Sequence, residues 1–210
     1  MNFYSPNLEL YSECNLPENI FLEFKEIVNC DKNNKIPYNS NLAGNIENEY
    51  SIEKCSTHLV EYLERKSMEF FLRNSQEKWD MEKYSLKLGS FWINKQKKYE
   101  FNPLHNHSGI VSFVCWIQIP YNLDDELNLS NCKNSVSPLN SLFSFAFTDF
   151  YGKLCQRIIK VDKSYEGKCI FFDSRLHHQV YPFYTSDDYR ISVSGNFEIK
   201  PLNLKKISYN

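Results

Sequence analysis

The stretch FNPLHNHSGIVSFVCWIQIPY, residues 101–121, places His105 and His107 just before a run of apolar and aromatic residues. Such a run of β-branched and aromatic residues, bounded by turn-forming residues, is typical of a β-strand. Residues two apart in a strand point to the same face, so both imidazoles can reach one ion. Imidazole is the commonest nitrogen ligand for iron, zinc and copper, and this spacing therefore indicates part of a metal centre.

A second stretch, YEGKCIFFDSRLHHQVYPFYTSDDYRISVSGNFEI, residues 165–199, carries another histidine pair, His177 and His178. The chain has only five histidines, and this clustering predicts one metal centre built from two distant strands. Neighbouring residues on a strand face opposite sides, so only one of this pair is expected to bind the ion. Three protein ligands leave coordination positions open, as catalytic rather than structural sites do. The remaining histidine, His58, lies on a predicted helix, where we expect it to be structural or exposed.

The rest of the chain predicts a mainly β protein with N-terminal helices. Apolar residues recur at helical spacing just after Pro17 and again over about residues 49–73, where Ser51 could cap the helix. From about residue 84, short runs of β-branched and aromatic residues alternate with turn signals, which predicts a sandwich or an open barrel. These runs are residues 91–93, 110–119, 142–147, 169–172 and 191–197. The polar segment 122–137 is interpreted as a surface insertion loop.

Length, charge and cysteine usage narrow the class of protein. A chain of 210 residues fits a single domain, which we divide into a support region at 1–83, a core at 84–200 and a tail at 201–210. The net charge of -2 makes nucleic acid an improbable partner. The seven cysteines are spread out and form no C-x-x-C motif, which argues against a disulfide framework or a structural zinc site. No signal peptide or membrane-spanning stretch is evident, so a cytoplasmic setting is expected.

Joined together, these fragments resemble the 2-oxoglutarate/Fe(II)-dependent dioxygenases, in particular a bacterial and phage branch with an H-x-H motif. Three signatures carry the resemblance: Trp92-Ile93-Asn94 before the H-x-H, an S-x-L-x-H-x-V-x-P stretch at 174–182, and R-I-S-x-x-x-N at 190–196. The resemblance implies a double-stranded β-helix core, the jelly-roll fold shared with cupins. It also implies Fe(II) as cofactor, with 2-oxoglutarate and oxygen as cosubstrates, and the host cytoplasm as the location if the chain is phage-encoded.

The resemblance also assigns roles to individual residues. His105 matches the first iron ligand and His178 the distal one, while His177 falls on a variable position. Arg190 matches the residue that binds the far carboxylate of 2-oxoglutarate, and Ser192 matches its hydroxyl partner. A guanidinium suits that role because it grips a carboxylate through two parallel charge-assisted hydrogen bonds. Further candidates for lining the site are Trp92, Asn94, Trp116 and Tyr151. Asn94 is also a candidate for binding the cosubstrate.

His107 departs from the pattern of the superfamily, because a carboxylate ligand is usual at that position. Either His107 coordinates, giving a face of three histidines, or water or another group fills the place. We favour coordination by His107; Asp149 and Asp173 are the conceivable carboxylate substitutes.

Three functions compete at this point. The first is an Fe(II)- and 2-oxoglutarate-dependent hydroxylase acting on a protein residue or a small metabolite. The second is a cupin-like three-histidine metal protein that does not use 2-oxoglutarate. The third is a non-enzymatic β-barrel interaction module.

Overall fold

The computed structural model describes residues 9–30, 36–75, 79–80 and 83–202. The predicted tail at 201–210 lies outside these ranges from residue 203 onward. Within them, none of the helices combines the length and the apolar composition that crossing a bilayer requires. All seven cysteines are free thiols, as their spacing predicted.

The described residues form two antiparallel β-sheets with helices on one side. The elements in chain order are β1 (Tyr11–Asn15), α1 (Glu18–Asn29), β2 (Ile36–Pro37), β3 (Asn48–Ser51), α2 (Thr57–Asn74), β4 (Tyr84–Gln96), β5 (Asn102–His105), β6 (Val111–Gln118), α3 (Leu123–Leu127), β7 (Phe143–Thr148), β8 (Leu154–Ile159), β9 (Lys168–Asp173), β10 (His177–Val180) and β11 (Arg190–Pro201). The major sheet has the order β1-β9-β6-β11-β4-β3-β2, and the minor sheet has the order β5-β10-β7-β8. This architecture confirms the predicted mainly β, jelly-roll class.

Strand β6 shows why its sequence is an unbroken apolar run. Its residues Phe113 and Cys115 face the helices and belong to a core shared with α1 and α2. The alternate residues Val114 and Trp116 belong to a second core between the two sheets. A strand buried on both faces has no position at which a polar side chain would reach water, so the usual alternation disappears.

The second helix begins later than the sequence predicted. Residues 48–51 form β3, which pairs with β4 at the edge of the major sheet, and α2 starts only at Thr57. Ser56, rather than Ser51, caps it: the Ser56 hydroxyl accepts a hydrogen bond from the Leu59 N–H at 3.0 Å. The prediction failed because the spacing of apolar residues before the cap fits a helix as well as it fits a half-buried edge strand.

The polar segment 122–137 is more than a surface loop, which corrects the sequence interpretation. It contains α3, whose Glu126 is fully buried. The Glu126 carboxylate accepts hydrogen bonds from the Tyr184 N–H at 2.9 Å, the Thr185 N–H at 2.7 Å and the Thr185 hydroxyl at 2.6 Å. The segment therefore fixes the chain that leads into β11. Glu126 lies far from Tyr184 and Thr185 in sequence, so the residues around it give no local sign of this contact.

Candidate metal centre

Three histidines from two strands and the turn beside them converge inside the barrel. His105 ends β5 and lies directly opposite His178 on β10. The ring centroids of His105 and His178 are 4.3 Å apart, and each lies 4.9 Å from the centroid of His107. One ring nitrogen from each histidine lies within 4.8 Å of the others. The three rings thus present a single face of nitrogen donors to one point.

The turn after β5 places His107 at this point. The His107 N–H donates to the Ser174 carbonyl at 2.8 Å, which ties the turn to the connection between β9 and β10. Gly109 follows with a φ of 107°, a conformation that only glycine adopts without strain. A Cβ on Gly109 would also lie 2.9 Å from the carbonyl oxygen of Phe197. The small residue after the H-x-H is therefore required by the way the turn packs on β11.

Backbone carbonyls orient two of the three rings. The Nδ1 of His105 lies 2.7 Å from the Pro103 carbonyl, and the Nδ1 of His178 lies 3.0 Å from the Leu176 carbonyl. A carbonyl oxygen only accepts, so each Nδ1 carries the hydrogen and each Nε2 keeps its lone pair for a metal.

Burial keeps all three imidazoles neutral. Desolvation lowers the pKa of His105 below its usual value. Desolvation, with a smaller contribution from His105, lowers the pKa of His107 to about 3. The pKa of His178 falls well below its usual value for the same reason, with both neighbouring rings adding to the effect. Neutral imidazole is the form that binds a metal, so the cluster needs no deprotonation near pH 7.

The other candidate ligands lie elsewhere. His177 is exposed and points away from the buried His178. Asp149 accepts hydrogen bonds from the N–H groups of its own turn, and Asp173 pairs with Arg175 at 2.6 Å. Across the described part of the chain, the cluster of possible ligands at this point contains the three histidines and no carboxylate. At this point the structure therefore offers His107 as the third possible ligand, beside His105 and His178.

A pocket extends from the histidines between the two sheets. Among the residues suggested from the sequence, Trp92, Asn94, Trp116 and Ser192 line it. Tyr151 does not, because it lies at the tip of the β7–β8 hairpin with 90% of its surface exposed. Further lining comes from residues that the sequence analysis did not single out, mainly Gly44, Glu49, Gln96 and Asn102.

Arg190 lies at the far end of this pocket and is 3% exposed. Its Nε and Nη2 both donate to Gln96 Oε1, at 3.2 Å and 2.7 Å. Its Nη1 donates to the Tyr121 hydroxyl at 2.9 Å and to the Ser141 carbonyl at 2.8 Å, and Nη2 also donates to the Tyr181 carbonyl at 2.9 Å. All five N–H groups are thus used, and in the described ranges Arg190 has no acidic partner. The Gln96 oxygen accepts from Nε and Nη2, the edge of the guanidinium to which a carboxylate would bind through two parallel hydrogen bonds.

A polar row crosses the major sheet between Arg190 and the histidines. Ser192 pairs with Asn94 on one side and Trp116 on the other, and the Asn94 amide lies 3.4 Å from the Ser192 hydroxyl. With its Nδ2 toward β3, the Asn94 amide donates to the Glu49 carboxylate at 2.8 Å and accepts from the Trp92 indole at 3.3 Å. The row places hydroxyl, amide and carboxyl groups along one wall of the pocket.

Glu49 is the functional candidate that sequence reasoning missed. It is 1% exposed, and burial, with help from the nearby Glu100, raises the pKa of its carboxyl group to about 7. No local pattern signals it, because the stretch around it was interpreted as the start of a helix. A single glutamate in a polar segment is ordinarily exposed.

The comparisons with known proteins agree with this geometry. A sequence model of the family described as "Putative 2OG-Fe(II) oxygenase" matches residues 90–196. The chain is similar in structure to a Pseudomonas putida prolyl-4-hydroxylase, with a TM-score of 0.51 and 14% identity over 90% of this chain and 92% of that one. It is also similar to a Trichoplax adhaerens prolyl hydroxylase in complex with a peptide fragment of the hypoxia inducible factor oxygen degradation domain, with a TM-score of 0.53 and 11% identity over 90% of this chain and 83% of that one. A search of curated proteins finds no significant match.

Proposed function

The chain belongs to the 2-oxoglutarate/Fe(II)-dependent oxygenase family, and on that premise we propose that it is an Fe(II)- and 2-oxoglutarate-dependent hydroxylase. Its metal ligands are His105, His107 and His178, and Arg190 and Ser192 receive the cosubstrate. The observation that carries the proposal is the convergence of three neutral imidazoles, of which two have Nε2 as the free donor atom.

The donor set fits Fe(II). Imidazole nitrogens suit iron, and a face of three ligands leaves positions for a bidentate cosubstrate and oxygen. When bound, iron and 2-oxoglutarate would activate oxygen, which is the oxidant. Oxidative decarboxylation of 2-oxoglutarate to succinate and carbon dioxide would supply two of the four electrons that reduce oxygen, and the substrate would supply the other two. The protein holds these groups in a water-poor pocket and orients them. A neutral His107 in place of an acid leaves the centre with one more positive charge, which favours binding of a dianionic cosubstrate.

Arg190 is the residue we assign to the far carboxylate of 2-oxoglutarate. A carboxylate is a stronger acceptor for a guanidinium than an amide oxygen, so it would take the side now held by Gln96 Oε1. Ser192 lies two residues further on the same strand face, and Asn94 lies opposite it on β4. We assign both to the flank of the bound cosubstrate.

The test is an anaerobic titration of the purified protein with Fe(II) and then 2-oxoglutarate. A weak visible charge-transfer band and a calorimetric binding signal are expected. The His178→Ala variant should lose both, whereas His177→Ala, which changes the exposed neighbour, should keep both. The absence of a band and of binding heat in the wild-type protein would contradict the proposal.

The substrate that is oxidised can be sought by succinate release in a screen of peptides and small metabolites. Peptides belong in the screen because the Trichoplax adhaerens structure contains one. Metabolites belong there because the pocket is narrow and lined by polar groups on one wall.

A second candidate function is favoured by one observation, the complete internal pairing of Arg190. In that case the protein is a three-histidine metal protein that binds its organic substrate directly, without 2-oxoglutarate. Stoichiometric iron binding with no heat of 2-oxoglutarate binding would support this candidate over the first. A protein that takes up no metal would contradict both and would favour a non-enzymatic module.

A further inference from the structure

The carboxyl group of Glu49 is buried in the pocket wall without a cation. Its hydrogen-bond donors are the Asn94 amide at 2.8 Å and the Asn39 amide at 3.4 Å. No Lys, Arg or His in the described ranges forms an ion pair with it. A buried carboxylate with only two amide donors is costly, whereas a buried carboxylic acid is not.

Asn102 supplies an independent sign that a proton belongs here. Its Oδ1 is buried and has no hydrogen-bond partner. A Cβ placed on Gly44 would lie 2.5 Å from this oxygen and 2.6 Å from Glu49 Oε1, so both oxygens line the same small space beside Gly44. A buried acceptor without a donor, such as Asn102 Oδ1, leaves a hydrogen bond unmade. A proton on Glu49 would remove the buried charge and would supply a donor beside that oxygen.

The charges around Glu49 allow that proton to stay at neutral pH. From the turn between β4 and β5, Glu100 disfavours a second negative charge, and this effect adds to burial in raising the pKa of Glu49 to about 7. From β11, Arg190 directs all its N–H groups to other acceptors. Glu47, which lies just before β3 and two residues before Glu49, is exposed and forms an ion pair with Lys97.

The remaining neighbours of Glu49 are neutral or face away. The three histidines on β5, β10 and the turn between β5 and β6 are neutral, as their lowered pKa values require. On β4, Asn94 carries no charge, and the next residue, Lys95, points to the other face of the sheet.

We propose that Glu49 determines which ligands the pocket accepts: as an acid sharing its proton with Asn102 it admits a dianion between Arg190 and the histidines, and as a carboxylate it repels one. This inference rests on the proposed function, because 2-oxoglutarate is the dianion in question. Above the pKa of Glu49, binding of 2-oxoglutarate then takes up one proton, which passes from the acid form of the buffer to the Glu49 carboxylate.

The experiment is anaerobic calorimetry of 2-oxoglutarate binding to the Fe(II)-saturated protein between pH 6 and pH 8.5. The affinity of the wild-type protein should fall about tenfold per pH unit above the pKa, since one proton is taken up. Repeating the titration at pH 8 in buffers of different ionisation enthalpy should show the uptake of about one proton. Glu49→Gln, whose amide donates to Asn102 as the acid does, should bind 2-oxoglutarate as tightly as the wild type does at pH 6. The variant should keep that affinity at every pH. Glu47→Gln, which changes the exposed neighbouring glutamate, should behave as the wild type.

Two further readouts keep the inference testable. Asn102→Ala removes the acceptor that stabilises the acid, so the fall in affinity should begin at a lower pH. Difference infrared spectra between pH 6 and pH 9, taken without metal or cosubstrate, should show loss of a protonated carboxyl band that is missing in Glu49→Gln.

The outcomes distinguish a failure of this inference from a failure of the proposed function. Wild-type affinity that is independent of pH, or weak binding by Glu49→Gln at pH 6, would overturn the role of Glu49 and leave the oxygenase standing. A wild type and a Glu49→Gln variant that both fail to bind 2-oxoglutarate at any pH would overturn the proposed function, and this inference with it.

Discussion

The two ends of the pocket hold their charged and polar groups in opposite ways. At the histidine end, backbone carbonyls fix the Nδ1 atoms of His105 and His178 and leave Nε2 as the atom for a ligand. At the other end, every N–H of Arg190 already donates to a neutral acceptor of the protein. On the proposed function, a metal would meet two Nε2 atoms that are already oriented, whereas a carboxylate at Arg190 would have to displace one of its present acceptors. The difference predicts that metal binds first and that cosubstrate binding carries a conformational cost.

The largest effect should come from removing a ligand at the histidine end. His178→Ala leaves two nitrogens at the centre, and we expect iron affinity to fall by more than about 100-fold, since losing even an outer partner of a ligand costs 10–100-fold. Metal content after dialysis, measured by elemental analysis, checks this. His177→Ala is the matched control, and an equal loss there would contradict the assignment.

At the arginine end, Gln96→Glu should weaken cosubstrate binding and leave metal binding unchanged. The new carboxylate would form a two-pronged ion pair with Arg190 and compete with the cosubstrate for the same N–H groups. We expect 2-oxoglutarate affinity to fall roughly 100-fold, the scale of a charge-assisted pair of about 3 kcal/mol. Iron binding should be unchanged. Calorimetry with and without iron gives both numbers, and undiminished affinity for 2-oxoglutarate would place that ligand elsewhere.

Between the two ends, Glu49 should make the stability of the fold depend on pH. Its folded-state pKa of about 7 lies above the ordinary value of 4.5, so the native protein binds more protons than the unfolded chain between those values. Stability therefore falls as pH rises through that window and is level above it. Glu49→Gln should lack this loss and gain roughly 3 kcal/mol relative to the wild type between pH 4.5 and pH 8. Denaturant unfolding at several pH values tests this, and parallel curves for the two proteins would contradict it.

The smallest effect concerns one acceptor of Arg190. Tyr121→Phe removes the hydroxyl that accepts from Nη1 at 2.9 Å and frees one N–H for a ligand. We expect a loss of about 1 kcal/mol in stability, the usual worth of one hydrogen bond, together with a few-fold gain in 2-oxoglutarate affinity. Thermal melts and calorimetry measure the two changes. A weaker affinity would mean that the tyrosine holds Arg190 in place for the cosubstrate.

Much of the core was predictable because its signals are local. The apolar runs at 110–119 and 169–172 became β6 and β9. His105 on β5, His107 in the turn after it and His178 on β10 came together. The short strand β3 was harder to predict. Residues 48–51 lie between β4 and β2 in the major sheet, and four residues contain too few alternations to distinguish a strand from a helix start.

The sequence by itself predicted a mainly β fold and a metal centre from the two histidine pairs, because strand periodicity and residue spacing are properties of the chain. The resemblance of its motifs to the family added the jelly roll and the choice of His178 over His177. Only the tertiary structure decided which acceptors bind Arg190 and whether Glu49 carries a charge. The acceptors that hold Arg190, from Gln96 to Tyr181, and the oxygen that faces Glu49, on Asn102, lie on other segments of the chain. Burial and the presence or absence of a partner set the charge of such groups, and neither can be deduced from the residues beside them in sequence.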